Sequence, residues 1–191
     1  MNVKNIIYSL FMVFTIILAV TGCANERIED QFVFGKSRVH CANTTITVNS
    51  PFELAVKGKQ ADIGDLMSTK VVASGYNKHI QINVNGDLSD TEHTVDSLKK
   101  ETLKIIENDA AVSNLQVEEK TGKVGNITTE ILKIEFIENN KGKNIGITIT
   151  EYIFEYNHVI WRVIYQYRTE DTVGKALSDR LAGQIIPGTV L

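Results

Sequence analysis

The sequence predicts an α+β fold: one domain built on an antiparallel sheet and packed by amphipathic helices. Three observations predict it. Segments alternating apolar and polar residues, as half-buried strands do, recur between residues 44 and 168. Two segments, after Thr94 and after Asp171, place apolar residues at helical spacing instead. Short polar turns such as Asn157-His158 join consecutive strand segments, as in hairpins.

The first element is not part of that fold. Lys4 precedes a fifteen-residue apolar run, Ile6 to Val20, and the run ends in Val20-Thr21-Gly22-Cys23. A basic start, a short apolar core and small residues before a cut site describe a secretory signal. The rival, a transmembrane helix, needs about 20 apolar residues to cross the hydrocarbon core. This run is shorter, contains Tyr8, Ser9 and Thr15, and has no basic stop after it. Its last four residues resemble the bacterial lipobox. That resemblance implies removal of residues 1–22, a diacylglyceryl thioether on Cys23 and acylation of the new amino terminus. Each buried methylene contributes about 0.8 kcal/mol, and one chain alone holds only marginally, so two or three chains make the anchor. The implied location is the cell envelope: the outer membrane of a Gram-negative cell, since Ala24 is not the retention aspartate, or the outer surface of the plasma membrane where there is one membrane.

Residues 23–31 are then the lipidated cysteine and a short tether, and residues 32–191 a single α+β domain. Residues 24–31 reach at most about 27 Å, at roughly 3.3–3.6 Å per residue. With two cysteines in the chain and Cys23 acylated, Cys41 has no disulfide partner. A lone thiol in an oxidising compartment is safest buried, so Cys41 is expected in the core; intermolecular pairing and metal binding beside His40 are the alternatives. A His-Cys dipeptide is weak support for a site, because neighbours on a strand point to opposite faces. The formal net charge of −3 argues against nucleic acid, which basic stripes bind by releasing counterions, and against a polybasic membrane footprint.

Within the domain, Thr44 to Val48 alternates and is turned by Asn49-Ser50-Pro51 into Phe52 to Val56. Lys57 to Lys70 is polar and irregular. Val71 to Ser74 and Ile80 to Val84 read as strands joined around Gly75 to Lys78, before a polar loop from Asn85 to His93. Thr94 is placed to cap a helix whose Val95, Leu98, Thr102, Ile105 and Ile106 form one stripe, with Lys99, Lys100 and Lys104 facing water. Leu115 to Glu119, Ile127 to Ile137, Ile145 to Tyr156 and Val159 to Arg168 continue the strands, with turns at Thr121-Gly122 and Asn139 to Lys143. Asp171 or Thr172 starts a last helix, with Val173, Ala176, Leu177 and Leu181 on its buried side and its end near Pro187-Gly188.

The best-specified local structure is the hairpin at Asn157-His158. Both residue types tolerate positive φ. The two-residue turn pairs Phe154 with Trp161, Tyr152 with Val163, Thr150 with Tyr165 and Thr148 with Tyr167, which makes one face nearly all aromatic. The other face mixes isoleucines with Glu151, Glu155 and Arg162, and sets Arg162 diagonal to both acids. Full burial of such charges is expensive, so helix cover over part of this face and water near the hairpin tip are expected.

This succession resembles the Mog1/PsbP-like superfamily, which includes DcrB-related bacterial lipoproteins: a Pro-turned strand pair, a helix, long Tyr- and Ile-rich strands and a final helix over residues 44–187. The resemblance implies an antiparallel sheet flanked by helices on both faces, and accessory or binding roles. It carries no catalytic residue onto this chain.

No Gly-x-Ser-x-Gly elbow, His-Glu-x-x-His pair or phosphate-binding Gly-x-x-x-x-Gly-Lys-Ser/Thr loop occurs in the sequence. The stretch Asn83 to His93 is rich in oxygen ligands, but its glycine is misplaced for an EF-hand, and a solvated loop is expected. His79 and His158 read as plain surface residues, and the Glu151, Glu155, Arg162 group as a cross-strand ion cluster. The expectation is therefore an envelope accessory or binding protein without catalysis, cofactor or metal. Its partners are the membrane, through acyl chains on Cys23, and an envelope protein or small ligand. A small-ligand-binding lipoprotein and, behind it, an envelope hydrolase are the alternatives.

Overall fold

A computed structural model describes residues 31–57 and 70–189. Cys23, the signal segment and most of the tether lie outside the described residues, as do residues 58–69.

Two antiparallel sheets are present. The smaller has the order β1-β2-β10, from β1 (Gly35–Cys41), β2 (Thr44–Ser50) and β10 (Ile186–Thr189). The larger has seven strands, in the order β3-β4-β5-β9-β8-β7-β6. These are β3 (Ala55–Lys57), β4 (Lys70–Tyr76), β5 (Gln81–Leu88), β6 (Val112–Val124), β7 (Ile127–Asn140), β8 (Lys143–Tyr156) and β9 (Val159–Arg168). Helix α1 (Val95–Glu107) leaves β5 and enters β6, and α2 (Thr172–Ala182) follows β9. The described residues from Val33 onward form one compact unit.

The central hairpin has the expected register, with Phe154 opposite Trp161 and Thr148 opposite Tyr167. Asn157 and His158 stand at φ +49° and +62°, the pair of positive values that a twisted two-residue hairpin turn requires. Phe154, Trp161, Val163 and Tyr165 are all fully buried on one side of the sheet. Ile82 and Val84 continue that side onto β5, opposite Tyr165 and Val163. Helix α2 lies against it: the Tyr165 hydroxyl donates to the Leu181 carbonyl, and a Cβ on Gly174 would sit 2.8 Å from Tyr167 Cβ. On the other side, Leu98 of α1 packs with Leu132, Ile134, Phe136, Ile147, Ile153 and Ile160.

Several boundaries differ from the sequence reading. The Pro51 turn does not fold β2 onto the next strand; it carries the chain from the small sheet into the large one. Ser50 Oγ donates to the Phe52 carbonyl and accepts its N–H, and the following strand is only Ala55–Lys57, paired with β4. The partners of β2 are β1, which sequence patterning does not predict, and β10, which contains the Pro187 expected near a helix end. An edge strand tolerates proline because its N–H has no neighbour to bond. The expected turn at Thr121-Gly122 is mid-strand. Gly122 is small because the Ile131 side chain fills the space where its Cβ would be, 2.6 Å away, and the turn itself is Gly125-Asn126 with Gly125 at φ +58°. Asn85 to Leu88, expected in a loop, extends β5, paired with β9 throughout and with β4 as far as Asp87.

Thr94 caps α1 as expected, in a reciprocal pair with Ser97. Leu98 and Thr102 are buried, and Val95, Leu103 and Ile106 pack beside them, but Ile105 is 62% exposed. At about 100° per residue, Ile105 falls roughly 90° from the centre of that face. Lys99 does not simply face water. Its ammonium donates to Glu119 of β6 at 2.9 Å, tying the helix to the sheet edge. Helix α2 is capped by Asp171 and closes at Gly183, with Gly174, Leu177, Ser178 and Leu181 buried.

Candidate functional site

Strand parity brings one set of polar side chains together under and beside α1. Arg162 is on β9 opposite Ile153, and Glu151 is one step away on β8 opposite Ile164. The Arg162 Nε–H donates to Glu151 Oε1 at 2.5 Å, and an Nη2–H donates to Thr102 Oγ1 at 2.6 Å. Thr102 Oγ1 in turn donates to the Leu98 carbonyl within the helix. The ion cluster expected from the sequence therefore exists, with two differences. Its acid is Glu151 alone, because Glu155 accepts from Ser89 Oγ near the hairpin tip. Glu151 is also completely buried, while Arg162 retains 15% side-chain exposure. The second carboxylate oxygen of Glu151 is buried with no hydrogen-bond partner. A buried polar group in that state costs about 1–3 kcal/mol, more when charged.

From Arg162 the same face continues away from α1 onto β5 and β4. Asn85 is opposite Arg162, Asn83 opposite Ile164, Gln81 opposite Gln166, and Tyr76 opposite Gln81. Asn83, Asn85 and Gln166 are half-buried and Gln81 is exposed. Tyr76 is 77% exposed at the end of this row. One half of the sheet face is thus packed under a helix, and the other, among the described residues, carries amides and the Arg162 guanidinium, with Lys57 and Lys70 at register positions on the same face.

The histidines are distributed elsewhere. His79 is not the plain surface residue the sequence suggested: its Nδ1 is 2.9 Å from Asp171 Oδ2, with side chains 19% and 18% exposed. Asn77 Oδ1 accepts the N–H groups of His79 and Ile80 and shapes this turn. Asp171 Oδ1 meanwhile accepts from Val173 and Gly174 and caps α2. Burial works to raise the Asp171 pKa, but these bonds and His79 outweigh it and hold the carboxyl below its ordinary range. The contact pins the β4–β5 turn to the start of α2. His158 is exposed at the hairpin tip, as expected. His93 pairs with Asp90 at the surface, and its N–H, with that of Glu92, lowers Asp90 to about 2. His40 bonds Thr45 Oγ1 at 2.8 Å on the exposed side of β1. Cys41 points the other way and is buried, and burial, with Asp87 nearby, pushes its thiol up to about 11. At 1% exposure Cys41 is the core residue expected.

Among the described residues, no group of three or more His, Cys, Asp or Glu side chains could hold a metal ion. Also among them, no helix is long and apolar enough to cross a membrane. The sequence reading puts Gln81 and Asn83 on the expected strand Ile80 to Val84 and only Asn85 in the loop after it, and it does not connect these amides with Gln166 of a distant strand. The signal of the strip was there: alternation of Gln81, Asn83 and Asn85 with the apolar Ile82 and Val84.

Taken together, the described residues form a mainly antiparallel α+β domain, and one face of its largest sheet has a helix-covered half beside a polar half. No protein-family model matches the sequence, and no curated protein does. Solved structures resemble it at low identity. LpqN of Mycobacterium tuberculosis, described as involved in cell envelope biogenesis, is 9% identical with a TM-score of 0.47, over 87% of this chain and 97% of LpqN. The cyanobacterial PsbP of Synechocystis is 14% identical with a TM-score of 0.45, over 78% and 94% of the two chains. A Pseudomonas aeruginosa protein of unknown function is 7% identical with a TM-score of 0.46, over 82% and 99%.

Proposed function

We propose that this chain is a lipid-anchored accessory or binding protein of the bacterial cell envelope, without catalysis of its own, held to the membrane by acyl chains on Cys23. The observation that carries the reading is the amino-terminal sequence: Lys4, the run Ile6 to Val20, and Val20-Thr21-Gly22-Cys23. Confinement by a short tether raises the effective concentration of a binding module near a membrane partner, a gain that needs geometry and no reacting group. Within the same proposal, the domain is a PsbP-like, DcrB-related sandwich with a helix on each face of the large sheet. The Arg162–Thr102 bond to α1 and the Tyr165–Leu181 bond to α2 support it, since residues 162 and 165 differ by an odd number along β9.

The test is metabolic labelling with an alkyne fatty acid in a bacterial host, alongside Cys23→Ser. Label on the wild-type chain and unprocessed, unlabelled Cys23→Ser precursor are expected. Intact-mass measurement of an unmodified mature amino terminus on membrane-bound protein would overturn the anchor.

A further inference from the structure

We infer that the free edge of β6 pairs with β6 of a second copy of this chain, antiparallel across a two-fold axis at Thr121, and makes the protein a dimer. This goes beyond the accessory reading and does not depend on the anchor. Among the described residues, β6 ends the seven-stranded order, and every residue from Gln116 to Thr121 is exposed. An unpaired strand edge is a row of N–H and C=O groups ready to bond another chain unless shortness, proline or charge blunts it. The other sheet edges are blunted. β3 has three residues, β10 has four with Pro187 among them, and β1 carries Lys36 and Arg38, which bring only positive charge to a second copy. β6 has 13 residues and no proline, and its ladder to β7 is unbroken from Gln116 to Val124.

The turn fixes which backbone groups are free. Gly125 and Asn126 form a two-residue loop, so Val124 and Ile127 bond each other, and with them every even-numbered residue of β6 back to Gln116 bonds β7. Val117, Glu119, Thr121 and Lys123 therefore direct their N–H and C=O groups out of the sheet. Their side chains share the face that α1 covers further in, since Glu119 is opposite Leu132 and Val117 opposite Ile134.

Charge then selects the register. A two-fold axis normal to the sheet sets one residue of β6 against itself, and the others pair symmetrically about it. An axis at Glu118 or Glu119 opposes two carboxylates, and one at Lys120 or Lys123 opposes two ammonium groups. An axis at Gly122 brings no acid to a base, and one at Val117 runs the pairing into the register shift between Ser113 and Gln116. At Thr121 the pairing becomes Glu119 with Lys123 of the other copy, twice, and Thr121 with Thr121; both are favourable cross-strand pairs. Lys120 then lies opposite Gly122, and Glu118 opposite Val124, so no like charges are directly opposed. Lys120 is diagonal to its own counterpart, but each is held by Glu118 of its own strand at 2.7 Å. Glu119 holds Lys99 through Oε2, which leaves Oε1 to accept from the second copy.

Sedimentation velocity on the full-length chain in detergent, with intact mass reporting the state of Cys23, tests the pairing. A dimer is expected at micromolar concentration. Thr121→Pro removes an N–H that only the second copy uses, and should give a monomer with the β6–β7 ladder intact. Lys123→Glu, at an exposed position, should raise the dimer dissociation constant about tenfold or more, and it decides the case if the proline variant fails to fold. Thr121→Cys, oxidised with copper phenanthroline, should form disulfide-linked dimer at least about tenfold faster than Thr128→Cys, which lies on β7 opposite Lys123. Wild type treated alike reports any bond through Cys23 or Cys41. A monomer at every concentration overturns the proposal. So does a dimer that the folded variants leave unchanged, or cross-linking at Thr128→Cys as fast as at Thr121→Cys.

Discussion

Replacing Arg162 with leucine leaves the carboxylate of Glu151 at 0% exposure with neither of its oxygens bonded, since Oε2 has no partner already. Removing one member of a buried ion pair costs about 3–5 kcal/mol, because the other charge stays desolvated. For a domain of this size, each kcal/mol moves Tm by roughly 2–4 °C, so Arg162→Leu should melt about 6–20 °C below wild type. The reverse change is milder. Glu151→Leu leaves a guanidinium that is 15% exposed and still donates to Thr102, so about 1.5–3 kcal/mol is expected for one lost charge-assisted bond. Leu132 and Ile153 stand opposite Glu151 and Arg162, so two leucines meet apolar neighbours, and the double variant should return to within about 1 kcal/mol of wild type or exceed it. Urea unfolding followed by Trp161, the one tryptophan and fully buried, supplies all four corners of the cycle. Single losses below about 1 kcal/mol, or a double variant as unstable as the sum of the singles, would refute the argument that desolvation dominates here.

Trp161→Ala should cost about 3–5 kcal/mol, read by circular dichroism since the fluorophore is gone. His158→Gly relieves a bulky residue at φ +62° and should leave stability unchanged or raise it by up to about 1 kcal/mol in thermal melts. Asp171→Ala removes the α2 cap and the His79 contact, and should cost about 0.5–2 kcal/mol at neutral pH. The folded Asp171 pKa lies below its ordinary 3.8, so its contribution is complete above that value and is lost as pH falls through the folded pKa. The gap between wild type and Asp171→Ala in urea should therefore close below about pH 4. A gap that widens on acidification would show the opposite sign.

How much of this was legible in the sequence depended on where the determining contacts lie. The Asn157-His158 hairpin could be paired residue by residue because its register is set by two adjacent residues and an unbroken alternation on both sides. The Thr94 and Asp171 caps were equally local. Strands β1 and β10 were not legible, because what makes them strands is pairing with β2; Pro187 opposite Ile46 is a partner some 140 residues away in the chain. The same holds for Asn85 to Leu88, whose composition reads as loop and whose backbone is paired with β9 throughout and with β4 as far as Asp87. Gly122 misled for a related reason, since its smallness serves the Ile131 side chain and no turn. His79 looked unremarkable because Asp171, its partner, lies 92 residues further along.

The division of one sheet face into a helix-covered and a polar half follows from the placement of α1. On β8 and β9 the same-face residues are Ile147, Ile153 and Ile160, and the helix buries them. Glu151 and Arg162 interrupt that apolar field where the helix cover gives way to the amide strip, at Asn85. A charge there can satisfy part of its bonding through Thr102 of the helix while its other edge meets solvent, as the 15% exposure of Arg162 records. Moved one strand pair toward Leu132 and Ile134, the same guanidinium would be wholly desolvated and cost several kcal/mol more. Moved one strand the other way, it would be a free surface cation with nothing to orient it. The boundary is thus the position at which a fixed, partly exposed guanidinium is physically cheapest.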